Sequence, residues 1–470
     1  MRRVAAPIAR QALRQPAAVG ARAFSSQFPA YVLNAPATEV ATLPNGLRVA
    51  SEGAHGETAT IGVFIDAGSR YETAANNGTA HFLEHMIFKG TKNRGQTELE
   101  LEFENMGGHL NAYTSREFTV YQAKVFKSDV PKAVEILSDI VQNSKLDDAA
   151  VERERRVILR EMEEVNSQQE EVIFDMLHDV AFPDSGLGRT ILGPTENILN
   201  ISRDDLEAYI KTHYSGPRVV VAGAGAVDHD ELVGLADKHF GSLPKEAPAG
   251  LIVPDDTAVY RGADIRTRDD TMPLAHVALA VEGAEWTSPY AFPLMVMQTM
   301  LGSWDRTVGA GGNMSSRLCQ NVGQKDLAHS LTAFNTCYKD TGLFGVYAVA
   351  EPHKLNDLMH HTLHCMVSMC HHTSEEDVAR ARTQLKSQLL MQLDGSSAVC
   401  DEIGRQMLIY GRRLTPAELF TRIDAVDATA VKGAAELFIN DRDVVLSAIG
   451  PIHELPDYNW LRRRTHWHRF

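Results

Sequence analysis

The sequence predicts an α+β protein of two homologous α/β halves, each an antiparallel-rich sheet packed with helices. Three observations carry this expectation. The chain has 470 residues, more than one hydrophobic core ordinarily organises, so two domains of roughly 200 residues each are expected. Strand-like runs follow one another directly, which fits antiparallel pairing better than a doubly wound parallel sheet. A weak repeat also recurs at an offset of 221 residues. Leu110-Asn111-Ala112-Tyr113 precedes a hydrophobic strand and the helical stretch DVPKAVEIL, and Leu331-Thr332-Ala333-Phe334 precedes GLFGVYAV and the similar HKLNDLMHHTL.

The elements follow in order. In TLPNGLRVA, Pro44-Asn45-Gly46 is a turn signal between two extended runs. ATIGVFIDAG (59–68) reads as a buried strand, 78–90 and 95–107 as helical, and HLNAYTSREFTVYQAKV (109–125) alternates like a strand pair. Helical patterns cover 130–143 and run from 147 to about 180, and RVVVAGAGAV (218–227) is another strand. SLPKEAPAG (242–250) is rich in proline and small residues, so 242–258 is read as the linker between the halves. AHVALAVEG (275–283) restarts the strand pattern. The expected organisation is a leader at 1–24, a first domain at 36–245 and a second at 258–470.

Composition narrows the function classes. An apolar fraction of 44% and a charged fraction of 23% are those of a globular protein. No apolar run reaches the ~18 residues a transmembrane helix needs, so membrane association would come through partner subunits. Cys319, Cys337, Cys365, Cys370 and Cys400 form no CxxC pair and read as reduced packing thiols. The first residues differ from the rest: Arg2, Arg3, Arg10, Arg14 and Arg22 occur with alanine and serine, and no acid precedes Glu39. That is the composition of a mitochondrial transit peptide, and Arg22-Ala23-Phe24-Ser25 resembles a processing site that would leave Ser25 first. Loss of those five arginines takes the formal charge from −15 to −20. A chain so acidic argues against nucleic acid as a partner and suits a basic one.

The most informative stretch is GTAHFLEHMIFKGT (78–91). On a helix His81 and His85 share one face, with Glu84 and Phe88 on the same stripe, while Phe82, Leu83, Met86 and Ile87 make the other side apolar. Imidazoles and a carboxylate set in an apolar helix are costly unless partnered, and a metal ion would partner them. The order is HxxEH, in which two histidines bind zinc and the neighbouring glutamate touches the attacking water. A polar helix face with surface histidines is the plain alternative. A third protein ligand is required. The acidic run 151–177 offers Glu154 and Glu161, seven apart on one face, each of which is otherwise a solvated charge in an i,i+4 ladder.

HFLEHMIFKGT, with a glutamate 76 positions after the second histidine, resembles the inverzincin peptidases related to pitrilysin and insulysin. The resemblance implies one Zn2+ per chain held by His81, His85 and Glu161, with Glu84 as the proton carrier and Glu154 supporting the site. The chain is closer still to the branch of that family that removes mitochondrial presequences, and some members of that branch are core subunits of ubiquinol–cytochrome c reductase (respiratory complex III). GGHLNAYTSREFTVY, LGSWDRTVGAGGNMSSRL, AFNTCYKDTGLFGVYAV and IGPIHELPDYNWLRRR carry this likeness over nearly the whole chain beyond the leader.

What that branch implies is specific. The partners would be an α-type subunit (core subunit 2-like), presequence peptides and, in the respiratory setting, other complex III subunits. The location would be the mitochondrial matrix or the matrix face of the inner membrane. Glu171 and Asp175, i and i+4, match the acids that bind an arginine two residues before the cut. Phe88 matches the lining of the pocket after the cut, and Asn111, Ala112 and Tyr113 match an edge strand to which substrate adds. In many relatives an arginine and a tyrosine of the second half hold the substrate; here those positions are Gly323 and His329. The branch's flexible glycine loop belongs to the α subunit, so GAGG (309–312) reads as a structural turn. A purely structural role in complex III is the competing reading, and the intact His81, Glu84, His85 and Glu161 favour the peptidase.

Overall fold

A computed structural model describes residues 30–254, 256–309 and 314–469. The expected leader and most of the GAGG turn lie outside the described residues.

Two six-stranded sheets organise the chain. The first contains β1 (Glu39–Thr42), β2 (Arg48–Gly53), β3 (Thr58–Ile65), β4 (His109–Thr114), β5 (Thr119–Phe126) and β6 (Val219–Gly225), in the order β1-β2-β6-β3-β5-β4. The second contains β7 (Asp264–Arg268), β8 (Ala275–Gly283), β9 (Ser303–Asp305), β10 (Ser330–Cys337), β11 (Gly342–Ala350) and β12 (Val444–Gly450), in the order β7-β12-β8-β11-β10-β9. Each sheet has one parallel pair, β2 with β6 and β7 with β12; the other pairings are antiparallel. The repeat seen in the sequence is the hairpin β4–β5 and its counterpart β10–β11. They differ at the sheet edge. β9 pairs with Ser330–Thr332 of β10, whereas β4 is the last strand of its sheet.

The helices that matter here are α1 (Thr79–Ile87), α2 (Gln96–Asn105), α3 (Val130–Asn143), α4 (Asp148–Ser167), α5 (Gln169–Ala181) and α6 (Ser396–Tyr410). The sequence reads 147 to 180 as one helical stretch, but the structure breaks it at Gln168, whose φ of −92° and ψ of 98° are extended. Strand alternation then sorts the cores. Ile61, Val63 and Ile65 face the helices of the first half, and Phe64 points to the opposite face.

The two halves exchange a helix. That opposite face of the first sheet is covered by Cys400, Ile403 and Met407 of α6, a helix from the second half. Reciprocally, Ile173, Leu177 and Ala181 of α5 pack against Ala278, Ala280, Val445 and Ile449 of the second sheet. Arg413 pairs with Glu52 at 3.0 Å and Tyr113 donates to Asp401 at 2.5 Å across the first of these contacts. The five cysteines are free and buried, as their spacing suggests.

Gly404 sets how close α6 can come: a Cβ there would lie 2.2 Å from the Phe64 ring. Gly404→Ala is therefore expected to destabilise the fold by about 1–3 kcal/mol through overpacking, outweighing the ~1 kcal/mol gain in helix propensity. A thermal midpoint equal to or above that of the parent would contradict this close approach.

Candidate active site

The site is assembled by α1 and α4. α1 is anchored by its apolar side, with Phe82, Leu83, Met86 and Ile87 buried in the core of the first half. Its start is fixed by Glu72, a fully buried acid. Glu72 accepts from Gly78 N at 2.9 Å and Ala80 N at 2.6 Å, satisfying backbone amides that a helix start leaves open, and from the Asn77 side-chain Nδ2 at 2.8 Å. Burial pushes its carboxyl up to about 7 against the pull of those three donors and of Arg189. Gly78 takes φ of 102°, and a Cβ there would meet Leu192 O at 2.7 Å.

With the helix so placed, His81 and His85 face α4. His85 Nε2 lies 2.9 Å from Glu161 Oε2, and His81 Nε2 lies 3.7 Å from Glu161 Oε1. The imidazoles meet edge-on, with centroids 4.8 Å apart. His81, His85 and Glu161 offer one ligand atom each, all within 4.8 Å of one another; among the described residues no other such group of three occurs. Glu154 is one pair of turns earlier on α4. Its Oε2 is 3.6 Å from His85 Nδ1 and its Oε1 2.9 Å from Lys89 Nζ, so it touches the nitrogen of His85 that faces away from Glu161.

Two imidazoles and one carboxylate are the donor set of a catalytic zinc site with an open fourth position. His81 Nδ1, the ring nitrogen opposite the one that faces Glu161, is buried without a hydrogen-bond partner among the described residues. His81 and His85 beside it hold the Glu161 carboxyl well below the usual carboxylate range, so it is in the ionised form a ligand needs. For His85, burial opposes the charged form, but the bond to Glu161 prevails and the imidazole pKa is raised. Glu84 is half-buried on α1 and stands outside the three-ligand group, and its charge reaches His85, Tyr121 and Tyr214.

Phe88 caps the end of α1 and meets Tyr121 edge-on at 6.3 Å. Asn111, Ala112 and Tyr113 lie on β4, pairing on one side only, with Gln122, Tyr121 and Val120 of β5. Glu171 is exposed on α5. Asp175 is not free: Arg116 Nη2 contacts it at 2.6 Å. The acids therefore sit on a different helix from Glu161, beyond the break at Gln168. In the second half, His329 lies 3.4 Å from Glu351 and Gly323 is in the helix Arg317–Gln324. Sequence reasoning missed Glu72, Lys89 and Arg116. A lone acid ahead of a helix start is a weak cue for Glu72, and Arg116 carries none, since its partner is 59 residues away.

Against known proteins, residues 48–195 match the family model for insulinase (peptidase family M16), and 200–385 match the M16 inactive domain. Mitochondrial-processing peptidase subunit beta of Homo sapiens is 54% identical, over 93% of this chain and 89% of the relative. The chain belongs to the M16 peptidase family. Within it, the Bos taurus β subunit is 53% identical over 93% of this chain and 89% of its own. The probable β subunit of Arabidopsis thaliana is 54% identical over 94% and 83%. A chain from the structure of complex III2 of Candida albicans with Inz-5 bound superposes with TM-score 0.82 at 26% identity, covering 92% of this chain and all of that one. The M16 model covers the segment that carries HxxEH and Glu161; the inactive-domain model starts after it. No helix among the described residues is long and apolar enough to cross a membrane.

Proposed function

We propose that this chain is the zinc-dependent catalytic β subunit of a heterodimeric peptidase that removes presequences from imported precursors in the mitochondrial matrix. The observation that carries the reading is the convergence of His81, His85 and Glu161 within 4.8 Å, beside Glu84. Zinc held by those three would act as a Lewis acid and lower the pKa of a bound water towards about 7. The chain's own residues supply the rest. Glu84 takes the proton of the attacking water and returns it to the leaving amine. Glu154 orients His85 through the far ring nitrogen, as carboxylates commonly do for ligating histidines. β4, paired on one side only, receives the substrate as an added strand along Asn111, Ala112 and Tyr113, and Phe88 lines the pocket for the residue after the cut.

An α-type subunit is the expected partner, and the halves at 36–245 and 258–470 divide the work, the first holding zinc. The Candida complex III2 neighbour supports a second setting, in which the same chain sits in the respiratory complex on the matrix face. The intact ligand set is compatible with both at once.

Glu171 and Asp175 read the substrate arginine. Arg116 already occupies one side of Asp175, so the incoming guanidinium takes the other oxygen together with Glu171. Glu171→Gln with Asp175→Asn in the assembled pair should lower kcat/KM for an arginine-containing presequence about 10- to 150-fold, the worth of a charged hydrogen bond. A peptide with glutamine in place of that arginine should change little. Measured as a cycle at fixed ionic strength, equal losses for both peptides would refute the assignment.

A further inference from the structure

We propose that the second half sets where the arginine-reading acids stand relative to the metal ligands. Tyr338 and Asp340 are the positioning residues, and neither touches substrate. The inference rests on the reading of Glu171 and Asp175 given above.

The metal ligands and the acids are carried by different helices with different supports. Glu154 and Glu161 ride on α4, whose Val151 and Ile158 are buried in the core of the first half. Glu171 and Asp175 ride on α5, whose buried side belongs to the core of the second sheet. Between them Gln168 is extended, so helical continuity does not fix the spacing. That spacing decides which peptide bond meets Glu84 once an arginine is seated. It depends on how the two halves are clamped.

The clamp is formed by two equivalent turns. Ser115–Phe118 joins β4 to β5 in the first half, and Tyr338–Thr341 joins β10 to β11 in the second. Each of residues 338–340 makes a bond across to the first half or α5, one of them to the opposite turn itself. Tyr338 OH lies 2.6 Å from His178 Nε2, one turn along α5 from Asp175, and His178 Nδ1 lies 2.7 Å from Phe174 O. Lys339 N donates to Glu117 Oε1 at 2.9 Å. Asp340 Oδ2 takes Arg70 Nη2 at 2.5 Å and Ala258 N at 2.9 Å, and Arg70 Nη1 reaches back to Glu117 at 2.8 Å. Arg70 is 4% exposed and Glu117 likewise, so the pairing is shielded from solvent. Arg116, beside Glu117, holds Asp175 at 2.6 Å and donates through Nε to Leu187 O at 3.2 Å. Phe174 packs edge-on against Phe334 of β10 at 5.0 Å. Thus Tyr338 bonds α5, Lys339 N bonds the turn that grips Asp175, and Asp340 holds Arg70, which in turn bonds Glu117 of that turn. Among the described residues the second half offers no group of metal ligands, yet it carries the platform for specificity.

The test uses the mature chain assembled with an α-type subunit. Tyr338→Phe removes one hydroxyl and keeps the ring. Asp340→Asn leaves Arg70 its bond to Glu117, so it provides a second variant if the first assembles poorly. Each is assayed on the arginine presequence and on the same peptide with glutamine, with zinc content measured alongside. The expected result is a fall of about 3- to 10-fold in kcat/KM for the arginine peptide, the scale of one lost hydrogen bond. The glutamine peptide and the zinc content should stay at parent values. Equal falls on both peptides, or parent-like discrimination in both variants, would overturn the inference and leave the clamp as a fold contact. Glu171→Gln/Asp175→Asn is run in parallel. If it discriminates and the clamp variants do not, only this inference fails. If it does not discriminate, the reading of the acids fails and this inference with it.

Discussion

Chelation should leave the assembled enzyme folded but unable to cleave presequences, and added zinc should restore it. The argument is the shape of the site. Three ligand atoms from α1 and α4 converge within 4.8 Å, while the helices that bear them are held by the hydrophobic core of the first half and not by the metal. Emptying the site should therefore cost activity far more than it costs structure. His85→Ala should go further, because it removes a ligand and also the partner of Glu154 and Glu161. Elemental analysis after gel filtration should find no stoichiometric zinc in that variant, and activity should fall to background. Glu154→Gln should be milder, weakening zinc affinity about 10- to 100-fold, the usual cost of losing the group that orients a ligating histidine. Full activity in chelated enzyme, or stoichiometric zinc in His85→Ala, would mean that these residues are an ion-pair cluster with no metal role.

How much of this was legible in the sequence depends on how local the cause is. His81, Glu84 and His85 are readable because helix geometry puts i, i+3 and i+4 together whatever the rest of the chain does. The β4–β5 hairpin is readable because alternation is a property of the strand itself. The break at Gln168 is not, since VNSQQEEV contains neither glycine nor proline and every residue in it tolerates a helix. Beyond the break α5 buries Ile173, Leu177 and Ala181 on the second sheet, a long-range contact that no local pattern announces. The exchange of α5 and α6 is hidden for the same reason: an amphipathic stripe says that a helix packs, not on which sheet. Gly404 looks like a helix defect in the sequence and becomes intelligible only beside Phe64. Glu72 and Arg116 act through backbone amides and a distant carboxylate, neither of which leaves a periodic trace.

Glu84→Gln should separate the two roles packed into HxxEH. Glutamine has the size and helix preference of glutamate, so α1 and its apolar anchor are undisturbed. Glu84 stands outside the three-ligand group, so zinc content should match that of the parent. What is lost is a base: an amide cannot take a proton from the attacking water or deliver one to the leaving amine. A positioned general acid–base contributes about 10²- to 10⁴-fold, and in the proposed mechanism one carboxylate serves both proton transfers, which puts the expected fall in kcat towards the upper end. On the proposed reading substrate capture draws on other groups, namely β4 and the α5 acids, so binding of an uncleaved presequence should stay within a few-fold of the parent. Glu84→Asp keeps the carboxylate but withdraws it by one methylene, and should recover a measurable part of the lost rate. Single-turnover kinetics with zinc quantified in the same samples decide the matter. If Glu84→Gln keeps kcat within about tenfold of the parent while zinc is full, proton transfer belongs to another residue. If instead its zinc is lost, Glu84 acts as a ligand and the assignment of Glu161 must be reconsidered.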